Sequence, residues 1–97
     1  MAIKIILYIG ADNTTKKIDE SYQRKIEKIL QRYWDNFTLT KCTGCYEGHI
    51  EDSISAVIIV LNLLFKDLSD CIDELKVTLV QKTIGYEIIA DVDFRLR

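Results

Sequence analysis

Proline is absent from this 97-residue chain, histidine and tryptophan occur once each, and glycine only four times. The absence of proline, beside abundant Ile, Lys and Asp, fits an AT-rich genome of the kind many Gram-positive bacteria and their phages carry. There is little net charge: a balance of -2 gives no general attraction to a phosphate backbone, which argues against bulk nucleic-acid binding. There is no long apolar run. The longest, Ala56 to Leu61, is far too short to span a bilayer, and MAIKIILYIG alternates through Lys4 without a small-residue cleavage site, so it reads as a strand and not a signal peptide. No catalytic or cofactor motif of high specificity is present. Three cysteines, an odd number without an export signal, point to reduced thiols in a cytoplasm and not to a disulfide scaffold.

What is present is the composition of an ordinary globular domain, 48% apolar and 29% charged, long enough for one core. Residues 1–97 are therefore read as a single domain, with no linker, low-complexity tract or internal repeat beyond the symmetry described next. Ile3, Ile5, Leu7 and Ile9 alternate with Lys4, Ile6 and Tyr8, the period of a central strand ending at Gly10. ADNTTKK is polar and turn-forming, a loop. Ile18, Tyr22, Ile26, Ile29, Leu30 and Tyr33 then form one helical stripe, with Asp19, Glu20 and Ser21 suited to its first turn. Phe37, Leu39, Lys41 and Thr43 share one face of a second strand and Thr38, Thr40 and Cys42 the other, a half-polar edge. Ser53 to Leu61 is β-branched and apolar, a buried strand. Leu64, Leu68, Cys71, Ile72, Leu75 and Leu79 make a second helical stripe, expected to stop near Gly85. Tyr86, Ile88, Ala90, Val92, Phe94 and Leu96 alternate with Glu87, Asp91, Asp93 and Arg95 in a long amphipathic last strand.

The order is β-α-β-β-α-β, an α+β ferredoxin-like pattern with two helices on one face of a four-stranded antiparallel sheet of order 4-1-3-2. The bare sheet face still presents aliphatic side chains, so a homo-oligomer, a dimer or larger, is expected to cover it. Chain direction brings three connections to one end: 11–17, 44–52 and 81–85. That rim supplies Asp12, Asn13, Thr14, Thr15, Lys16, Lys17, Tyr46, Glu47, His49 and Glu51, the candidate ligand-binding residues, together with Gln81 and Lys82. Loops on a rigid scaffold are the usual place for binding groups.

Within KCTGCYEGHIED, Cys42 and Cys45 have CxxC spacing and His49 follows. Zinc takes four ligands, and the spare Cys71 falls on the second helical stripe. A redox CxxC places its first thiol at a helix N-terminus, whereas this pair ends a strand and points to opposite faces. No metal and no cofactor is therefore assigned, and the cysteines are read as small residues flanking a glycine bulge. His49 beside Glu47 and Glu51 has the parts of a general base, but no nucleophile accompanies it, so no catalytic residue is named. GADNTTKK offers backbone amides, hydroxyls and two lysines suited to an anion, without the spacing of a Walker loop. Tyr46 has a ring able to stack on a base.

At YIGADNTT and GCYEGHIEDS the chain resembles short uncharacterised bacterial and phage proteins that pair a "YIG.NN.T" loop with a "G-aromatic-aromatic-x-G…E.S" hairpin. Tyr8, Ile9, Gly10, Asn13, Thr15, Gly44, Tyr46, Gly48, Glu51 and Ser53 match, while Asp12 and Cys45 depart, the latter replacing an aromatic residue. The resemblance implies a ferredoxin-like fold and no established enzyme activity. Small phage proteins of similar build sequester nucleotide immune signals, so it also implies an anti-defence sponge as one role. The expectation is a non-catalytic, cytoplasmic, oligomeric module for a small anionic ligand of nucleotide class. Its rivals are a protein–protein interaction module using the open sheet face or an edge strand, and a small enzyme using His49 with Glu47 or Glu51.

Overall fold

The structure is a computed structural model that describes residues 2–93. Six elements follow the expected order: β1 (Ala2–Gly10), α1 (Glu20–Tyr33), β2 (Thr38–Tyr46), β3 (His49–Val60), α2 (Phe65–Leu79) and β4 (Gly85–Val92). The strands form one antiparallel sheet in the order β2-β3-β1-β4, which is 4-1-3-2 read from the other edge. The fold is ferredoxin-like, and the two most apolar strands are the central ones.

Strand alternation assigns the faces. Ile5, Leu7 and Ile9 of β1 lie beside Ile58, Ala56 and Ile54 of β3, and all six are fully buried beneath the helices. Tyr22, Ile26, Ile29 and Leu30 of α1 and Leu68, Cys71, Leu75 and Leu79 of α2 meet them. Burying this apolar set dominates the stability, at about 1.5–3 kcal/mol for each large aliphatic side chain. The helices are joined on their outer side by Tyr33, whose hydroxyl donates to Glu74 at 2.7 Å, and by the Arg32–Glu74 ion pair.

Several boundaries differ from the sequence expectation. Ile18 is buried but precedes α1, because Asp19 is the N-cap and its carboxylate accepts from the Tyr22 amide at 2.8 Å. Leu64 is likewise outside the α2 stripe; it is the N-cap residue and is 66% exposed. The helix ends at Leu79, not near Gly85. Val80 turns left-handed at φ 54, and the Gln81 amide donates to the Lys76 carbonyl at 2.9 Å, closing the last turn in a Schellman pattern.

The expected connection 44–52 is instead strand. The β2–β3 ladder runs out to Tyr46 opposite His49, leaving Glu47 and Gly48 as a two-residue turn. Both turn residues have positive φ, 50 and 79, the sign a tight hairpin needs to match strand twist. At the other edge β4 carries one extra residue between its pairings to Ala2 and Lys4, with Asp91 at φ 57. That irregularity bends an edge strand that would otherwise be long and flat. The expected continuation through Phe94, Arg95 and Leu96 lies outside the described residues. Among the described residues no helix is long and apolar enough to cross a membrane.

Candidate functional site

The three connections do meet at one end, and side chains tie two of them, the β1–α1 loop and the end of α2, together. The Asn13 side-chain amide donates to the Val80 carbonyl, linking the β1–α1 loop to the end of α2. Gln81 repeats the link: its Nε2 donates to the Ala11 carbonyl at 2.8 Å and to the Tyr22 hydroxyl at 3.0 Å. Tyr22 in turn donates to the Gly10 carbonyl at 2.6 Å. Burial pushes the Tyr22 phenol above its ordinary pKa, opposed in part by the Gln81 hydrogen bond, so at neutral pH the hydroxyl is a fixed donor.

The loop between β1 and α1 is held by its own side chains. Asp12 Oδ1 accepts from the amides of Thr14 at 2.7 Å and Thr15 at 3.2 Å, and these backbone donors hold its carboxyl below the usual aspartate value. The Lys16 amide donates to the Asp12 carbonyl at 2.7 Å, and Thr15 exchanges hydrogen bonds with the Lys17 backbone. Lys16 adopts φ 60, which closes the turn. Asp12, Asn13 and Thr15 are therefore occupied in building the loop, and Thr14 contributes its backbone. All of residues 13–17 are exposed, and Lys16 and Lys17 are the cations among them.

Those two lysines form one wall of a groove of about 510 Å³ whose other wall is His49, Ile50, Glu51 and Asp52 of the hairpin. A smaller recess of about 60 Å³ continues from it between Lys16, Glu51, Asn13 and Gln81, over Gly10 and Ala11. Of the ten residues proposed from sequence, Lys16, Lys17, His49 and Glu51 thus share the groove, and Asn13 joins them at its inner end. Glu47 sits in the hairpin turn and lines neither space. Tyr46 is placed by its backbone, opposite His49.

Sequence reasoning missed the roles of Tyr22 and Gln81. Tyr22 was counted only as part of a core stripe, yet a buried tyrosine hydroxyl requires a partner, and a partner near the rim was the available signal. Cys42 and Cys45 are both exposed on β2, opposite Ser53 and Ile50. Cys42 Sγ lies 3.0 Å from the Ser53 hydroxyl. Among the described residues no three His, Cys, Asp or Glu side chains gather as a metal site would require. Cys71 is buried in the core, and that burial raises its thiol pKa.

A larger depression, about 650 Å³, lies at the opposite end of the open sheet face, floored by Lys4, Val57 and Ile59 and flanked by Asn36, Phe37 and Thr38. It has one cation, Lys4, and one carboxylate, Asp35, beside apolar Val57, Ile59 and Phe37, whereas the rim groove gathers two lysines from the β1–α1 loop and His49, Glu51 and Asp52 from the hairpin. The rim is the better candidate for a small charged ligand, and the depression belongs to the sheet face.

Comparison with known proteins places this geometry among solved structures only. No family model matches the chain, and no curated protein matches it. A DUF3240 family protein from Shewanella baltica OS155 is similar in structure, with a TM-score of 0.65 at 11% identity, covering 98% of this chain and 97% of that one. A phage SAM lyase in complex with S-methyl-5'-thioadenosine gives 0.62 at 17% identity, covering 91% of this chain and 80% of that one. CPII, a nitrogen regulatory PII-like protein from Thiomonas intermedia K12 bound to ADP, AMP and bicarbonate, gives 0.59 at 9% identity, covering 92% and 89%. At such identities the likeness establishes the fold.

Proposed function

We propose that the chain is a non-catalytic, homo-oligomeric binding module that holds a small anionic ligand of nucleotide class in the rim groove. One observation carries the reading: Lys16 and Lys17 from one loop face His49, Glu51 and Asp52 from the hairpin across a groove of about 510 Å³. Two ammonium groups suit a phosphate as point charges. Glu51 on the facing wall is an acceptor for hydroxyls such as those of a ribose. Charges of both signs fit a ligand with an anionic end and a hydroxyl-rich middle better than they fit bare phosphate. Two neighbours in fold support an adenine ribonucleoside as the core of that ligand, since S-methyl-5'-thioadenosine in one and ADP and AMP in the other all carry adenine on a ribose, and the latter two carry phosphate as well. Small phage proteins of similar build sequester nucleotide signals, and sequestration of such a ligand is the role proposed for this module.

The test is calorimetric titration of the purified chain with AMP, ADP and inorganic phosphate. Binding of either nucleotide, at least tenfold tighter than phosphate and weakened at least tenfold by joint Lys16→Ala and Lys17→Ala, is the expected result. Undiminished affinity in that double variant would remove the rim from consideration. Mass spectrometry of the recovered nucleotide checks the absence of turnover, because any product would end the non-catalytic reading.

A further inference from the structure

The sheet face turned away from the helices is nearly free of charge. Register places Ile59, Lys4 and Ile89 in one row across β3, β1 and β4, then Val57, Ile6 and Glu87, then Ser55, Tyr8 and Gly85. Lys4 and Glu87 are the only ionic residues in these three rows, one of each sign. We propose that a second copy of this chain covers the open sheet face, with Lys4 and Glu87 pairing reciprocally across the two copies. This specifies the homo-oligomeric part of the reading above and is independent of its ligand.

The geometry favours self-complementarity. Adjacent strands lie about 4.8 Å apart and alternate residues of a strand about 6.8 Å apart, so Lys4, Ile89, Glu87 and Ile6 mark the corners of a small rectangle. Lys4 and Glu87 occupy one diagonal, Ile6 and Ile89 the other. A two-fold axis lying in the interface, close to the Ile6–Ile89 diagonal, exchanges the other two corners. It lays each Lys4 against the partner's Glu87 and packs Ile6 and Ile89 against their own copies, the isologous arrangement closed dimers use. Glu87 is prepared for this, because the Tyr8 hydroxyl donates to its Oε1 at 2.7 Å, fixing the carboxylate while Oε2 remains an acceptor. Tyr8 is fixed too: a Cβ at Gly85 would lie 3.5 Å from its ring, so the ring rests over a residue that has no side chain. Apolar residues around one paired charge of each sign match the composition of an interface centre, where charges are depleted. The depression beside Lys4, Val57 and Ile59 offers a concavity for the partner's side chains.

Sedimentation equilibrium on the full chain tests this, with single charge reversals and their combination. Wild type should self-associate at micromolar concentration. Lys4→Glu and Glu87→Lys should each raise the dissociation constant at least tenfold, since each sets like charges against one another. The double variant K4E/E87K restores opposite pairing and should return to within about threefold of wild type. Loss and rescue in an assembly larger than a dimer would place the same pair between copies and support the proposal. A monomeric wild type overturns it, as does association indifferent to the single reversals, which would mean pairing along an edge strand. If a single variant loses its helical circular dichroism, the double variant decides: association supports the proposal and a folded monomer refutes it.

Discussion

Replacing Tyr22 by Phe removes one oxygen and tests whether the rim is a designed joint or an accident of packing. Tyr22 is 4% exposed, and its hydroxyl donates to the Gly10 carbonyl at 2.6 Å and accepts from Gln81 Nε2 at 3.0 Å. The ring itself stays buried in the variant, so no hydrophobic term changes. What is lost is one strong donor bond, about 1 kcal/mol net, together with the cost of leaving part-buried partners underused, about 1 kcal/mol more. A total of about 2 kcal/mol, with a urea m value of about 1.5 kcal/mol/M, moves the unfolding midpoint down by about 1.3 M. Alkaline pH supplies an independent check. Because the folded phenol titrates above its ordinary value of 10.0, its contribution is complete below pH 10 and is lost as pH rises through the folded pKa. Wild type should therefore lose stability above pH 10 more steeply than Tyr22→Phe does. A midpoint shift under about 0.3 M, with identical alkaline profiles, would show that the Tyr22–Gln81 link contributes nothing.

Other perturbations have clear signs. Glu47→Asn should raise stability by about 0.5–1 kcal/mol in thermal unfolding, since Asn-Gly is the preferred pair for a turn with two positive φ values; as Glu47 lies outside the groove, nucleotide affinity should not move. Gly48→Ala, at φ 79, should cost about 1 kcal/mol by the same measurement although its Cβ would meet open space. Asp12→Ala removes the acceptor for two amides and should loosen the β1–α1 loop; NMR titration should find the wild-type Asp12 carboxyl below the usual aspartate range, with its contribution complete at neutral pH, fading once pH drops below the ordinary aspartate value and lost as it falls through the lowered one. Leu75→Ala, fully buried between α2 and the sheet, should cost about 2–5 kcal/mol in urea unfolding.

The strand order and the faces were legible because β1 and β3 must bury one side chain in two under the helices, and that constraint is written residue by residue in Ile5, Leu7, Ile9, Ile54, Ala56 and Ile58. Helix ends were less legible. Val80, a β-branched residue, ends α2 in a left-handed conformation that such residues rarely adopt, so the sequence contains no stop signal there, and Gly85, which looked like one, opens β4. The hairpin was hidden for a related reason. At the sheet edge both faces of β2 beyond Lys41 meet solvent, so alternation disappears, and Glu-Gly is a weak turn signal beside Asn-Gly. The candidate site suffered from a different ambiguity. Asp12, Asn13 and Thr15 are the residue types that bind ligands and also those that fold loops onto themselves, and it is their hydrogen bonds in the folded loop that show they do the second.

The hairpin's reach beyond its neighbours determines how the rim groove should respond to a ligand. β1 ends at Gly10 opposite Ser53, so His49 to Asp52 pair with β2 alone. This outer segment is a two-stranded ribbon, a form that is marginal in isolation, and its residues His49 to Asp52 form the wall opposite Lys16 and Lys17. Its amides should open locally at far lower free energy than those of Ile5 or Ala56, which are paired on both sides. In native-state hydrogen exchange, residues 44–51 should exchange at least a hundredfold faster than the central strands. A ligand bridging the two walls must restrain that ribbon, so saturating ADP should slow exchange in 44–51 and at 14–17 while leaving α1 and α2 unchanged. Protection confined to the helices or to the open sheet face would place the ligand elsewhere and refute the rim as its site.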